Sequence, residues 1–597
     1  MWHRLPVQLR GPWALSTLAA GSRHGAGDEK RWGLAIDDGF VIKPEPRKPR
    51  RFPPVLAALA VAALVGAGYF GYVMRTGNNS GPTQGPVVRP AGVVKTAAVE
   101  QLPSKIIAVL PLAGEKQDAA AKPVIEDSSE RLVEALKVRR DDTHYFGDGL
   151  SNQLIDSLSQ FAGVATTSPE SSFQFRDSRE LGRTLGKKLG ATHVLQGSVQ
   201  RKGDDVLVDA SLVLVSDGST LWFDHYQRPY KDLFKLQDDI AAAIASALKV
   251  SRLPAPQGNQ NARPVSGNLA AYDALLRGDA FHAQRDGDGS RQAVAAYSRA
   301  AALDPDYAQA HARLALARIQ LATRFPSDAG NVREEGEKAR RDAAMALRLA
   351  PDSAASHAAN AAWMAGVALD QAGAMHETKR ALELSPQDPN LLHSLAIQQT
   401  AFGQLEAAAG NLRRVLALNP LSSAAHYNLG GVYLGKNDFS EAEFALGQAL
   451  ALRPDSAVVR AFQAIAVFQQ NRADEAIKLA ESEPDPLWRT YALAMAYWAK
   501  GDRARSDAAL QSLIRNNANS AATQIAGIYA QRDDETSMFQ WLDVARTNGD
   551  PGIVEIRYMP FVSRYANDPR FVALARELDL MPGEEARPAR TPAPNSP

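Results

Sequence analysis

The chain of 597 residues contains no cysteine, and its charges nearly cancel. Without cysteine it can form neither a disulfide nor a thiolate nucleophile, and cysteine-ligated zinc and iron–sulfur sites are excluded. There are 67 Lys and Arg residues against 66 Asp and Glu residues, which gives a net charge of +1. A chain with so little net charge lacks the electrostatic footprint of nucleic-acid-binding proteins, so we predict no direct nucleic-acid partner.

Sequence motifs of catalysis are also missing. The sequence contains no HExxH zinc motif, no GxSxG serine turn and no phosphate-binding loop with its lysine. We therefore predict that the chain is not an enzyme, and that it has no catalytic residue, no cofactor and no metal ion.

One long apolar run is present, at residues 55–74 (VLAALAVAALVGAGYFGYVM). At about 1.5 Å rise per residue, a helix of that length crosses the roughly 30 Å hydrocarbon core of a bilayer. The preceding KPEPRKPRR is strongly basic, whereas only Arg75 follows closely, and positive charge stays in the cytoplasm. We predict a single transmembrane helix in a bacterial inner membrane, with a cytoplasmic N-terminus and the bulk of the chain in the periplasm.

Composition divides the chain into segments around this run. Regions rich in Pro, Gly and charge predict linkers and tails, and regions with regular apolar periods predict folded units. In order, the predicted segments are a disordered basic tail (1–51), the transmembrane helix (55–74), a linker (75–101), an α/β domain (102–252), a linker (253–267), helical repeats (268–547), a helical cap (548–581) and a disordered tail (582–597).

The pattern of residues 102–252 predicts a compact α/β domain. Residues 106–112 (IIAVLPL) form an apolar, β-branched run that is typical of a buried strand. Three later stretches of strand-like sequence are separated by residues 203–205 and 216–219, which have the composition of hairpin turns. We therefore expect antiparallel strands in the second half of this domain.

A Gly-Asp-Gly sequence, Gly147–Asp148–Gly149, stands at the start of a predicted helix and has two interpretations. A glycine-rich turn before a helix N-terminus can hold an anion. The fingerprint is incomplete, because Asn152 occupies the position of a third glycine and no Lys-Ser or Lys-Thr pair follows. The interpretation we favour is a tight turn with Asp148 as the helix cap.

IIAVLPL, YFGDGLSNQLIDSLS and LGATHVLQGSVQRKGDDVLVDASLVLVSDG resemble the extracytoplasmic TolB amino-terminal and FlgO-type domain, over about residues 105–250. In that family Gly147, Asp148 and Gly149 correspond to the motif turn. The resemblance implies a domain that is followed by tetratricopeptide repeats and preceded by a membrane span with a cytoplasmic DNA-binding, cyclase or kinase domain, as in CadC-type regulators. The chain departs from the family at 115–143, where an insertion separates the first strand from the motif.

Prolines recur at a fixed interval in the C-terminal half. Pro386, Pro420 and Pro454 are 34 residues apart, which is the period of tetratricopeptide repeats. The clearest copy precedes Pro454, and its small residues let the two helices of the repeat approach closely. The residues that define this copy are Leu429, Gly430, Tyr433, Ala442, Ala449 and Pro454. The spacing predicts seven or eight repeats, so the predicted fold class is multidomain: a single transmembrane helix, a small α/β domain with antiparallel strands and an all-α repeat solenoid.

His311, His357 and His426 each lie six residues after a repeat proline and so occupy one equivalent site. Histidines of neighbouring repeats could share a metal ion, but no third histidine or carboxylate completes a ligand set. We favour the interpretation that each ring fills the usual aromatic position of its repeat.

Repeat solenoids present a long concave face that suits extended or helical ligands. The leading hypothesis is a membrane-anchored periplasmic scaffold that holds a protein or peptide in the repeat groove and contacts the membrane through one helix. The alternative is the sensor portion of a transmembrane signalling or transcriptional regulator whose cytoplasmic output domain is missing. An enzyme is the third and least favoured hypothesis.

Overall fold

The computed structural model describes residues 103–114, 145–176, 178, 180–252, 263–284, 286–326 and 329–581. The predictions for the two tails, the apolar run 55–74, the linker 75–101 and the insertion 115–143 fall outside these residues. The described residues form a small sheet with flanking helices, followed by a solenoid of helix pairs.

The predicted fold class is wrong in one respect, because a single transmembrane helix is not supported. Among the described residues, no helix is both long and apolar enough to cross a bilayer. The longest of them, Ala329–Leu349, has 21 residues but carries charges throughout, including Glu335, Lys338 and Arg341. The residues of the predicted span lie outside the described part of the chain.

In the described part of the chain, six strands form one mixed sheet in the order β3-β1-β4-β5-β6, with β2 paired to β4. The strands β4 to β6 are joined as antiparallel hairpins, in agreement with the predicted turns, whereas β1 runs parallel to both β3 and β4. Their bounds are β1 (Lys105–Val109), β2 (Ala113–Gly114), β3 (Val164–Thr166), β4 (His193–Lys202), β5 (Asp205–Leu214) and β6 (Thr220–Pro229).

Helices cover both faces of the sheet. One face packs against residues 145–158 (α1) and Leu233–Ala247 (α4), and these helices bury leucine and isoleucine at helical spacing. The other face packs against the short helices Pro169–Ser172 (α2) and Gly182–Lys188 (α3). Each face therefore has its own hydrophobic core.

Within the described part of the chain, the helices between residues 269 and 548 form eight consecutive antiparallel pairs. We call the members of each pair its first and second helix. The pairs are α5 (Leu269–His282) with α6 (Gly287–Leu303), α7 (Ala308–Thr323) with α8 (Ala329–Leu349), α9 (Ala354–Trp363) with α10 (Gln371–Leu384), α11 (Pro389–Ala401) with α12 (Leu405–Leu418), α13 (Ser423–Gly435) with α14 (Phe439–Leu452), α15 (Val459–Phe468) with α16 (Ala473–Glu481), α17 (Pro486–Lys500) with α18 (Arg503–Asn517), and α19 (Ala522–Gln531) with α20 (Glu535–Asn548).

Two sequence features explain where several of these helices begin and how closely they pack. The helices α11 and α17 begin at Asp-Pro, where Asp388 and Asp485 accept hydrogen bonds from the first free backbone N–H groups. In pair five, a Cβ atom on Gly430 would lie 2.5 Å from Cγ of Leu446, so only glycine permits this approach of α13 and α14. The other residues predicted to define this pair are buried in the same core, namely Leu429, Tyr433, Ala442 and Ala449, while Pro454 lies just beyond α14.

Candidate peptide-binding groove

The first helices of the pairs line one face of the solenoid. First helices of neighbouring pairs contact one another; for example, α7 contacts α9, and α15 contacts α17. Within the described residues, the second helices make few contacts among themselves. Closer spacing of the first helices curves the solenoid toward them. The first helices therefore form the concave face.

The α/β domain packs against the beginning of this face. Tyr272 and Leu276 of α5 belong to the same hydrophobic core as α1 and α4. Nε2 of Gln237 donates a hydrogen bond of 2.8 Å to the Tyr272 hydroxyl, and the Tyr145 hydroxyl donates one of 2.8 Å to Asp273. The first repeat is thus part of the core of the α/β domain.

The Gly-Asp-Gly sequence lies at this contact, inside α1 and not in a turn before it, so the prediction of Asp148 as the helix cap is wrong. A Cβ atom on Gly149 would lie 2.6 Å from Cδ1 of Leu276, and one on Gly147 would lie 2.5 Å from the carbonyl oxygen of Leu112. The Asp148 carboxylate accepts two hydrogen bonds, of 2.5 and 2.6 Å, from the Arg176 guanidinium. The two glycines therefore allow α1 to pack closely on both the sheet and the first repeat.

The α/β domain contacts the solenoid a second time, at the turn between pairs four and five. The backbone N–H of Ser168 donates to the carbonyl of Leu418 at 2.9 Å, and Nδ2 of Asn419 donates to the Glu170 carboxylate at 2.7 Å. Leu418 is buried in the core around α3. The two contacts are about 150 residues apart in sequence, so the α/β domain bridges repeats one and four.

A charged cluster lies between these two contacts. Arg313 of α7 is close to the carboxylates of Asp279, Asp156 and Asp388, and its Nε lies 3.6 Å from Oδ1 of Asp279. Burial raises the pKa of Asp156 to about 7, although the positive charge of Arg313 opposes this shift. Within the described part of the chain, no group of three or more acidic, histidine or cysteine side chains is arranged to hold a metal ion.

The three equivalent histidines stay apart, each within its own repeat. Nε2 of His311, His357 and His426 lies 3.0, 2.7 and 3.3 Å, respectively, from the carbonyl oxygen of the proline six residues earlier. Each ring therefore bonds to the turn that follows the preceding second helix. This hydrogen bond was missed by the sequence interpretation, although the constant spacing of six residues points to it.

The far half of the concave face is covered by the chain itself. Residues 551–562, which we call the strap, lie on the first helices of pairs four to eight. The apolar side chains buried there follow a spacing of three residues: Ile553, Ile556, Met559 and Val562. The ring of Phe561 stacks on Phe468 at the end of α15, with centroids 6.4 Å apart and an angle of 13° between the planes.

The tip of the strap reaches furthest back along the face. A Cβ atom on Gly435, at the end of α13, would lie 2.9 Å from the carbonyl oxygen of Tyr558. One on Gly403, just after α11, would lie 2.9 Å from Nε of Arg557. The strap falls within the segment predicted as a helical cap, but only Pro569–Glu577 (α21) of that segment is α-helical.

A small cavity remains between the tip of the strap and the first helices. Its volume is about 30 Å³, and its lining includes Tyr427, Phe462, Glu555 and Tyr558. Burial raises the pKa of Glu555 to about 7, and a hydrogen bond from Tyr558 opposes the shift. A carboxyl in such a site can change its charge near neutral pH.

Aromatic side chains form a line from this cavity along three first helices. The rings of Tyr427 and Phe462 are 5.7 Å apart, and those of Phe462 and Trp488 are 5.6 Å apart. They belong to α13, α15 and α17, at similar positions near the start of each helix. Neither this line nor the strap was found by sequence reasoning, although the three-residue apolar spacing of 553–562 was a usable signal for the latter.

Comparison with known proteins agrees with the architecture of the solenoid. A family model described as tetratricopeptide repeat matches residues 399–466. The chain is 32% identical over 174 residues to "Putative adenylate cyclase 3" of Rhizobium meliloti (strain 1021), a match that spans 29% of each protein. The resemblance of residues 102–252 to TolB amino-terminal and FlgO-type domains is not shown by these comparisons and stays a prediction.

Among solved structures, the chain is similar to PilF of Pseudomonas aeruginosa, with 20% identity, a TM-score of 0.29 and coverage of 36% of this chain and 93% of that one. It is also similar to a tetratricopeptide repeat protein of Parabacteroides merdae, with 18% identity, a TM-score of 0.32 and coverage of 39% and 93%. The family match and the eight helix pairs together identify this chain as one that contains tetratricopeptide repeats.

Proposed function

We propose that the chain is a non-catalytic interaction protein that holds a protein or peptide partner on the concave face of its repeats. The observation that supports this proposal is the line of aromatic side chains formed by Tyr427, Phe462 and Trp488 on three consecutive first helices. Aromatic residues dominate the energetics of protein interfaces, because they remove much apolar surface from water with little loss of side-chain entropy.

Site-specific photo-crosslinking in cells that produce the full chain tests this function. A photoreactive phenylalanine analogue at Trp488 should form a discrete covalent adduct with another protein. The matched control places the same analogue at Phe444, which is 52% exposed on the second helix α14. Adducts of equal yield from both positions, or none from position 488, would contradict a partner on the concave face.

A second candidate is favoured by the relative from Rhizobium meliloti. In this alternative the repeats and the α/β domain form the regulatory region of a signalling protein that acts with a nucleotide cyclase. The name of that relative and the 32% identity support the alternative, while the match spans only 29% of the relative. An assay of the purified chain with ATP and a divalent metal ion should give no cyclic nucleotide, and turnover by this chain alone would contradict the non-catalytic proposal.

A further inference from the structure

The strap is anchored at both ends to one helix, α19 of the last pair. On one side, Asp550 accepts a hydrogen bond of 2.8 Å from the backbone N–H of Thr523, near the start of α19. On the other side, Arg564 donates to the carbonyl of Ala530, near the end of α19, and to Asp533. The strap is thus a loop whose two ends lie on pair eight and whose tip reaches back to pairs four and five.

Closing the end of the solenoid does not require this loop. The last pair is already covered by α21, which buries Phe571 and Ala575. Arg570 of α21 pairs with Glu535 of α20 and lies 4.0 Å from the Phe539 ring centroid, and Glu577 lies 3.1 Å from Arg546. Because a terminal repeat needs a cap only on its outer flank, the strap has another role.

The strap has the properties of a bound peptide. Its first five residues form a single 3₁₀ turn, and residues 556–562 have no regular helix or strand. It inserts one apolar side chain at every third position, and Ile556 and Val562 are completely buried. Its tip ends beside the aromatic line, at Tyr427 and Phe462.

We propose that the strap is an internal ligand that occupies the partner site, so that a partner binds by displacing it. The proposal rests on the function proposed above and deepens it. The partner then contributes a short segment of the same chemistry, with Ile-like or Met-like side chains at every third position and a carboxylate at the place of Glu555. While no partner is bound, the strap in this site keeps the apolar concave face out of water.

The test uses the full chain and a labelled peptide with the sequence of residues 550–563. Replacement of Ile556→Asp together with Met559→Asp puts two charges into an apolar site and should release the strap. We expect this double variant to bind the peptide at least tenfold more tightly than the wild-type chain does. The matched control, Phe444→Asp, introduces a charge on the exposed side of pair five and should bind as weakly as the wild type. Equal binding by the wild-type chain and the double variant would overturn the proposal.

Hydrogen exchange of the wild-type chain gives a measurement that does not depend on the folding of the variant. Amides of the strap should exchange faster than those of α13 and α15 beneath it, and an excess of the free peptide should accelerate strap exchange further. Strap amides that are as protected as those helices and insensitive to the peptide would overturn the inference.

These outcomes separate the inference from the proposed function. If the peptide does not bind the double variant but position 488 still crosslinks to another protein, the strap is not the internal ligand and the interaction function stands. If position 488 gives no adduct and the peptide nevertheless binds the double variant, the internal ligand stands and the partner proposal fails.

Discussion

The two halves of the concave face are covered in different ways. The first half meets a folded domain, through a shared hydrophobic core, close contacts at Gly149 and hydrogen bonds at two distant points. The second half meets a single loop of twelve residues, which contributes four buried apolar side chains and whose polar anchors lie at its ends. A contact built into a domain core can open only when that domain unfolds, whereas a loop can open locally.

This difference assigns separate roles to the two halves. The domain contact bridges repeats one and four, and the strap covers the first helices of repeats four to eight. Apolar side chains on a regular spacing can be replaced by those of another chain, because hydrophobic contacts are not directional. The polar contacts around Asn419 are directional and depend on this domain.

The largest expected effect is a loss of stability at the contact between the α/β domain and the first repeat, compared with a change in the strap. Tyr272→Ala removes a fully buried ring from the shared core and leaves the Nε2 donor of Gln237 without its partner. We expect a loss of ~3–5 kcal/mol in the free energy of unfolding, measured by urea denaturation. Phe561→Ala in the strap should lower it by no more than about 1 kcal/mol, because a loop that opens locally contributes little to global stability.

The control for this pair is Phe223→Ala on strand β6. Phe223 is 65% exposed, so its replacement should change the free energy of unfolding by less than about 0.5 kcal/mol. If Phe561→Ala were as damaging as Tyr272→Ala, the strap would be part of the fixed core and the contrast between the halves would be lost.

A smaller effect is expected from overpacking inside one repeat. Ala442 is fully buried at the contact of α13 and α14, so Ala442→Leu forces extra methyl groups into a filled space, at a cost of ~1–3 kcal/mol. Each repeat depends mainly on its neighbours, so hydrogen exchange should accelerate around pairs four to six and not in the α/β domain. Unchanged protection in these pairs would show that Ala442 does not lie at a close helix crossing.

The sequence predicted the repeats well because their determinants are local. A period of 34 residues and small residues at Gly430 and Ala442 are enough to indicate close helix pairs, and the turns at 203–205 and 216–219 are enough to indicate β4 to β6. The transmembrane helix was predicted from the length and apolarity of one run, and no described helix supports it.

The contacts that cover the concave face are long-range, and the local apolar spacing of 553–562 indicates a segment that packs on a surface but not which surface it covers. The hydrogen bond between Glu170 and Asn419 joins residues 249 positions apart, and the strap contacts Gly435 from more than 120 residues away. Gly149 was interpreted as part of a turn from the local Gly-Asp-Gly sequence, whereas it lies inside α1 and packs against Leu276 of another predicted domain. Sequence alone therefore gives the parts of the candidate site and not the way the chain covers it.

The smallest expected effects are those of pH. Each half of the concave face contains a carboxyl whose pKa is raised by burial to about 7: Asp156 in the half covered by the α/β domain, and Glu555 in the half covered by the strap. The ordinary pKa values are 3.8 and 4.5. Between the ordinary and the raised value the folded state binds more protons than the unfolded state. The stability that each protonated carboxyl contributes is therefore complete below about pH 4 and is lost as the pH rises through 7.

Neutral amides that mimic the protonated form should separate the two halves. Asp156→Asn should abolish a decline on the order of 1 kcal/mol in the free energy of unfolding between pH 6 and pH 8, measured by urea denaturation. Glu555→Gln should leave that decline in global stability unchanged. It should instead remove the increase in strap opening that accompanies rising pH. Strap opening is measured by hydrogen exchange of the strap amides, after correction for the intrinsic exchange rate at each pH. Both effects have the same physical cause, because an ionised carboxylate at either site lacks the hydration it has in water. The opposite result would be that Glu555→Gln changes global unfolding and Asp156→Asn changes only strap opening. In that case the half covered by the strap would be the fixed one, and the half covered by the α/β domain would be the one that opens locally.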